Sequence, residues 1–146
     1  MQSILYICVH NAGRSQMAEA LTNKLARERG VPVRALSAGT AAGDRIDPVA
    51  LDAMREIGVP MGDQRPKRLT QQMVDGADHV ITMGCGVDVA ACPARFLVTE
   101  DWGLDDPAGQ PIETVRAIRD QIRERVSVLL DEIAATEAGA REDAGG

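Results

Sequence analysis

The sequence has few cysteines and few aromatic residues. Its 146 residues include three cysteines and one each of Phe, Trp and Tyr. A small, odd number of cysteines excludes a disulfide scaffold and is typical of reactive thiols or buried core residues. Since aromatic residues make up only 2% of the chain, the core must be built from Val, Ile, Leu, Ala and Met.

The sequence also lacks long apolar runs and an excess of basic charge. No apolar run reaches the roughly 18 residues of a membrane-spanning helix, and residues 1–8 lack the basic region and cleavage site of a signal peptide. The 16 Lys and Arg residues against 22 Asp and Glu residues give a formal net charge of −6, whereas nucleic acids and membrane surfaces bind basic faces. We therefore expect a cytoplasmic monomer that binds neither nucleic acid nor membrane.

Hydrophobic periodicity predicts short strands that alternate with helices. The predicted strands are residues 4–9, 33–37, 79–83 and 96–98, and the predicted helices are residues 14–29, 47–58, 70–75 and 111–133, with a loop at 100–111. This alternation favours a three-layer α/β fold, in which helices cover both faces of a parallel sheet. The length fits one domain, predicted at residues 1–135, followed by a small, charged tail at 136–146 that we expect to be disordered.

In such folds ligands bind at the carboxyl ends of the strands, and here the first strand–helix junction pairs a cysteine with an arginine. Five residues separate Cys8 from Arg14. The intervening backbone N–H groups, at a helix N-terminus, should form a cradle for an oxyanion, to which Arg14 adds a bidentate cationic fork. The same field should hold Cys8 as a nucleophilic thiolate, with Ser15 donating a hydrogen bond to its sulfur. The predicted oxyanion-binding residues are Val9, His10, Asn11, Ala12, Gly13, Arg14 and Ser15.

Residues 8–20 resemble the low-molecular-weight protein tyrosine phosphatase superfamily, and most closely its arsenate reductase branch. Further similar stretches are residues 37–39, 47–48, 80–83 and 101–109. The resemblance spans residues 4–133 and implies a four-stranded parallel sheet flanked by helices. It also implies thiol-dependent reduction of arsenate, an oxyanion with the shape and charge of phosphate.

The resemblance implies roles for an aspartate and for the two remaining cysteines. Asp106, directly before Pro107, corresponds to the general acid that protonates the departing oxygen. Cys85 and Cys92, seven positions apart, correspond to the relay of thioredoxin-coupled arsenate reductases, in which a disulfide passes from Cys8–Cys85 to Cys85–Cys92. No cofactor is then bound, and the electrons come from an external thiol reductant.

Two departures from the thioredoxin-coupled pattern leave alternatives open. The segments around Cys85 and Cys92 also resemble the branch that uses mycothiol and mycoredoxin, although that branch has its cysteines closer together. Residues 66–69 include adjacent basic side chains where some relatives carry an acidic residue at a potassium site. We therefore expect no metal, with a basic side chain in that electrostatic role.

Three other functions compete with arsenate reduction. A tyrosine phosphatase carries aromatic residues at the rim of its site, whereas the Asp-Pro pair here is followed by Ala108 and Gly109; only weak phosphatase activity is expected. A phosphocarrier domain has less need for Arg14 and none for the second and third cysteines. An anion-sensing module leaves the acid Asp106 unexplained.

Overall fold

The computed structural model describes residues 1–83 and 100–145. In chain order the elements are β1 (Gln2–Cys8), α1 (Arg14–Arg29), β2 (Val33–Gly39), α2 (Pro48–Glu56), α3 (Gln71–Asp75), β3 (His79–Thr82), β4 (Glu100–Asp101) and α4 (Ile112–Gly145). The predicted strand at 96–98 lies outside the described residues, as do Cys85 and Cys92.

The strands of the described residues form one parallel sheet in the order β2-β1-β3-β4. The strand β1 lies in the interior of the sheet, where Leu5 pairs with Leu36 of β2 and with Val80 of β3. A strand that is paired on both sides and covered on both faces is apolar along most of its length, as β1 is. The predicted three-layer α/β fold is confirmed.

Alternate side chains of β1 enter two different cores. Ile4, Tyr6 and Cys8 belong to the larger core, which also holds side chains of α1, α2 and α4. Leu5 and Ile7 belong to a smaller core against which the short helix α3 packs. Because strand side chains alternate with a period of two, Cys8 ends β1 on the α1 side of the sheet, at the carboxyl edge.

The predicted helix starts agree with the capping geometry. The Asp47 side chain accepts a hydrogen bond from the Val49 N–H, and Pro48 occupies the first turn of α2. The Thr70 hydroxyl accepts from the Met73 N–H at the start of α3. Both residue types satisfy N–H groups that a helix leaves without an internal partner.

Two predictions differ from the structure after residue 99. Glu100 and Asp101, predicted as loop, pair with β3; both are exposed and charged, so no apolar pattern indicates this strand. The tail predicted to be disordered from residue 136 continues α4 to Gly145, since Ala, Glu and Arg all favour helix. Although α4 is 34 residues long, none of the described helices is apolar enough over a sufficient length to cross a membrane.

Candidate active site

A cavity of about 40 Å³ lies at the carboxyl end of β1. It brings the loop after β1 together with the segment before α2 and the segment before α4. Its lining residues are Cys8, His10, Ala12, Gly13, Arg14, Asp47, Asp106, Pro107 and Ala108. The predicted nucleophile, anion clamp and acid therefore meet in one place, whereas Val9, Asn11 and Ser15 do not line the cavity.

The sulfur of Cys8 receives hydrogen bonds from behind the cavity. The Asn11 N–H donates to Cys8 Sγ at 3.1 Å, and Ser15 Oγ lies 2.8 Å from the same sulfur. Asn11 Nδ2 donates to Ser15 Oγ at 2.7 Å, so the Ser15 hydroxyl accepts there and has its own proton available for the sulfur. The Asn11 N–H and the Ser15 hydroxyl can therefore both donate to the Cys8 sulfur.

The orientation of the Asn11 amide follows from its backbone partner. Asn11 Oδ1 accepts from the Lys67 backbone N–H at 2.8 Å, which can only donate. Gln16 Nε2 donates to the same oxygen at 2.9 Å. Asn11 is fully buried and has φ 53°, a left-handed conformation that asparagine tolerates better than most residues. The residue thus joins the loop, α1 and the segment after α2.

The backbone of residues 8–13 is oriented by the segment that follows β2. The carbonyl oxygens of Cys8, Val9, His10 and Ala12 accept N–H donors from residues 40, 41, 43 and 47, respectively. Because C=O and N–H point in opposite directions across a trans peptide, the next N–H groups point away from that segment. The Asn11 N–H demonstrates this direction by donating to the Cys8 sulfur. An inward set of N–H groups is the expected anion cradle.

The N-terminus of α1 is open toward the same cavity. Gly13 occupies the cap position without a side-chain hydrogen bond, and no acidic residue lies in the first turn. Donors in the first turn and the helix dipole therefore favour an anion beside Cys8.

Arg14 is held in place by two backbone carbonyls. Its Nη1 donates to the carbonyl oxygens of Met83 and Leu104, both at 2.8 Å, and the residue is 7% exposed. Its other guanidinium nitrogens have no partner among residues 1–83 and 100–145. A guanidinium that is fixed on one edge can use the other edge for the oxygens of an anion.

The predicted acid reaches the cavity through a close contact between two segments. Asp106 is exposed, and its Oδ1 accepts from the Ala108 N–H at 3.0 Å. The neighbouring Pro107 is buried against Gly13, where a Cβ would come within 2.8 Å of the proline Cγ. The φ of Gly13, −137°, is accessible to other residues, so backbone conformation does not require glycine here. Glycine is required because a side chain would collide with Pro107. Asp105 does not line the cavity.

The basic stretch at 66–69 lies behind the loop. Lys67 Nζ is 3.4 Å from Glu19 Oε1, to which the Ser37 hydroxyl also donates at 2.9 Å. Gln64 Nε2 donates to Gln16 Oε1 at 2.6 Å, which ties the same segment to α1. Within the described part of the chain, no group of three or more His, Cys, Asp or Glu side chains could hold a metal ion.

Sequence reasoning did not assign Asp47 and Gln16 to the site. The Asp-Pro pair at 47–48 is a typical start of a helix. Helix capping alone therefore explains the aspartate in the sequence, and nothing there indicates a second role. Gln16 is completely buried and donates to the Arg65 carbonyl at 2.8 Å, although glutamine is mostly found at the surface. A buried polar side chain cannot be recognised before the surrounding segments are placed.

Proteins similar to this chain in sequence and fold include phosphatases and arsenate reductases. The family model for low molecular weight phosphotyrosine protein phosphatase matches residues 3–138. The glutaredoxin arsenate reductase of Synechocystis sp. is 33% identical over 134 residues, which cover 91% of this chain and 99% of that protein. A solved structure of an arsenate reductase in the phosphate binding state has a TM-score of 0.77 and 32% identity over 91% of this chain and 99% of that one. The YwlE arginine phosphatase from Geobacillus stearothermophilus has a TM-score of 0.79 and 27% identity over 95% and 97% of the two chains, respectively. The chain therefore belongs to the low molecular weight phosphotyrosine protein phosphatase family.

Proposed function

We propose that this chain reduces arsenate to arsenite, with the Cys8 thiolate as nucleophile. One observation carries the proposal: Cys8 and Arg14 share a cavity of about 40 Å³ with Asp106, from a distant segment. A nucleophile, a cation and an acid around so small a space suit a free tetrahedral oxyanion. Two of the similar proteins are named arsenate reductases, which supports arsenate as that oxyanion.

The first step is attack of the Cys8 thiolate on arsenic. Arg14 and the inward N–H groups bind the oxygens that remain on arsenic. As the S–As bond forms, the bond between arsenic and its hydroxyl oxygen breaks, and Asp106 supplies the second proton with which that oxygen leaves as water. The product is a thiol–arseno adduct on Cys8, in which arsenic is still pentavalent.

The second step uses Cys85 and Cys92. The Cys85 thiolate attacks Cys8 Sγ, the S–As bond breaks, and its electron pair stays on arsenic, which leaves as trivalent arsenite. Cys92 then attacks Cys85, so that Cys8 is released and a Cys85–Cys92 disulfide remains. The two electrons are recovered when thioredoxin reduces this disulfide.

The alternative reductant is a low-molecular-weight thiol. Mycothiol would attack Cys8 Sγ of the adduct, the S–As bond would break with its electron pair on the departing arsenite, and mycoredoxin would then reduce the mixed disulfide between Cys8 and mycothiol. Glutathione with glutaredoxin is a further candidate reductant of this kind, because one relative is named a glutaredoxin arsenate reductase.

Tyrosine phosphatase activity is the second candidate, because the family is named for it. The same thiolate and acid would hydrolyse a phosphate ester through a phosphocysteine. Among the described residues, however, no Phe, Tyr or Trp lines the cavity, so nothing there grips an aromatic ring. We expect slow phosphatase activity as a consequence of the shared loop.

The test is arsenite release, measured in parallel with thioredoxin/thioredoxin reductase, with mycothiol/mycoredoxin and with glutathione/glutaredoxin. We expect sustained turnover with thioredoxin and none with Cys8→Ser. In the absence of reductant, Cys92→Ser should release about one arsenite per chain and then stop with a Cys8–Cys85 disulfide. Cys85→Ser should release none under the same conditions.

The outcomes separate the alternatives. Full multiple turnover of both Cys85→Ser and Cys92→Ser with thioredoxin would show the relay to be wrong. Turnover of these two variants with mycothiol/mycoredoxin or with glutathione/glutaredoxin, and not with thioredoxin, would identify the low-molecular-weight thiol route. Rapid hydrolysis of phosphotyrosine peptides without arsenite release would favour the phosphatase.

A further inference from the structure

A second carboxylate lines the cavity that holds Cys8, and one of its oxygens has no partner. Asp47 Oδ1 accepts from the Val49 N–H at 3.0 Å and caps α2. Asp47 Oδ2 is buried and is the one buried side-chain oxygen or nitrogen of the described residues without a hydrogen bond. Since an unpaired buried acceptor costs about 1–3 kcal/mol, an acceptor beside a ligand cavity is best explained by a donor on the ligand.

The position of Asp47 is rigid relative to the anion loop. Its backbone N–H donates to the Ala12 carbonyl at 2.9 Å, and Ala12 lines the same cavity. Asp106, by contrast, is exposed and lies in a turn before α4. The Asp47 carboxylate is therefore held close to the loop whether or not an anion is bound.

A carboxylate beside an oxyanion is repulsive unless a proton lies between them. Near neutral pH, hydrogen arsenate and hydrogen phosphate carry such a proton on one oxygen. Sulfate has the same tetrahedral shape and the same double negative charge, but it has no proton. A carboxylate oxygen can accept from the first two anions, and it meets only lone pairs on the third.

We propose that Asp47 makes the site specific for protonated tetrahedral oxyanions by accepting a hydrogen bond from their hydroxyl group. This inference rests on the proposed oxyanion site at Cys8 and adds its selectivity: hydrogen arsenate and hydrogen phosphate bind more tightly than sulfate. Arg14 and the loop N–H groups bind the unprotonated oxygens. The proton stays on the bound anion, and no bond is made or broken at Asp47.

The test compares the dissociation constants of phosphate and sulfate for the full chain by calorimetry at a mildly alkaline pH above the second pKa of phosphate, where hydrogen phosphate still carries one hydroxyl group. Phosphate is chosen because the thiolate does not reduce it. Wild type should bind phosphate about 10- to 100-fold more tightly than sulfate, the factor expected for a hydrogen bond to a charged group. In Asp47→Asn the ratio should fall to near one, because the amide keeps the capping oxygen and offers sulfate an N–H donor.

At that pH both anions are mainly dianionic, so the ratio of the two constants removes the general effect of charge. Asp44→Asn removes an exposed carboxylate of the same connecting segment and should leave the ratio unchanged. Asp47→Ser, which caps a helix without an amide or a charge, should also weaken discrimination if Asp47→Asn folds poorly.

Two outcomes would overturn the inference. Equal binding of sulfate and phosphate by wild type would mean that Asp47 does not accept from the anion. A ratio in Asp47→Asn and Asp47→Ser that equals the wild-type ratio would mean the same. Binding of neither anion by wild type would instead contradict the oxyanion site itself, so the two failures are distinguishable.

Discussion

At the scale of single residues, Asn11 controls the geometry of the sulfur. Its backbone N–H donates to Cys8, its amide N–H donates to Ser15, and its amide oxygen accepts from Lys67. It does so from a left-handed conformation with φ 53°. The backbone conformation and the side-chain hydrogen bonds are separable, because glycine adopts the conformation and keeps the backbone N–H but lacks the amide side chain.

Substitution of Asn11 by glycine and by alanine should separate these two contributions. Asn11→Ala should unfold more easily than Asn11→Gly by about 1–2 kcal/mol, since only alanine is strained at positive φ. Both variants should turn over arsenate more slowly, because Ser15 loses the donor that orients its hydroxyl. Urea unfolding and arsenite release measure the two effects.

Asn23 in α1 provides the matched control. It is half-buried and pairs with both the N–H and the carbonyl of Ala35, but it lies within a helix. There alanine should be more stable than glycine by about 1 kcal/mol. The same order at Asn11 as at Asn23 would contradict the argument from backbone conformation.

At the scale of elements, one carboxylate joins α2 to α4. Glu56 Oε2 accepts from Arg116 Nη2 at 2.6 Å, and Glu56 Oε1 accepts from Arg119 Nη1 at 2.9 Å. Arg119 also donates to the Ala53 carbonyl at 2.8 Å. The hydrogen bond from Arg116, followed by the charges of both arginines, holds the pKa of Glu56 below its usual 4.5. These contacts fix α2, and with it the Asp47 cap, against the long helix.

The pH dependence of stability should report this junction. Because the pKa of Glu56 is lower in the folded state, its contribution to the free energy of unfolding is present above pH 4.5. It is lost as the pH falls through the lower folded value. Wild type should therefore be more stable than Glu56→Gln near neutral pH, and the difference should disappear in acid. Urea unfolding across this range measures it.

Glu28→Gln is a suitable control, since Glu28 makes an exposed pair with Lys24 on α1. Such pairs contribute little in water, so this variant should differ little from wild type at any pH. A difference between wild type and Glu56→Gln that persists in strong acid would mean that packing, and not ionisation, holds the two helices together.

At the scale of the whole molecule, about half of the length of α4 packs against the larger core. Val126, Leu129, Leu130 and Ile133 are its C-terminal buried side chains in the described core. The helix continues to Gly145, whereas the family match ends at residue 138. That residues 1–135 form the folding domain remains a prediction.

Truncation tests this boundary. A chain of residues 1–135 keeps the buried side chains through Ile133 and should melt within about 4 °C of the full chain, as a loss below about 1 kcal/mol implies. A chain of residues 1–128 loses Leu129, Leu130 and Ile133, each costing about 2–5 kcal/mol, and should not fold stably. Thermal unfolding followed by circular dichroism measures both. A large destabilisation of 1–135 would extend the domain into the C-terminal helix.

Local signals in the sequence were sufficient for most of the framework. The bounds predicted for α1 agree with the structure because an amphipathic repeat begins after the loop and Gly30 ends it at φ 66°. The strand at Glu100–Asp101 was missed because pairing with β3 is a backbone property with no side-chain pattern. The position of Asp106 at the cavity agrees with the resemblance, since the Asp-Pro pair is a contiguous motif.

The sequence by itself determined the fold class and the loop from Cys8 to Arg14, because each depends on residues that are close in the chain, whereas the role of Asp106 came from the family resemblance. Only the tertiary structure brought Asp47 to the cavity with an unpartnered oxygen. It alone placed Lys67 against Glu19 behind the loop. The physical reason is that hydrogen bonding and desolvation depend on distances between segments, which periodicity and spacing along one chain do not contain.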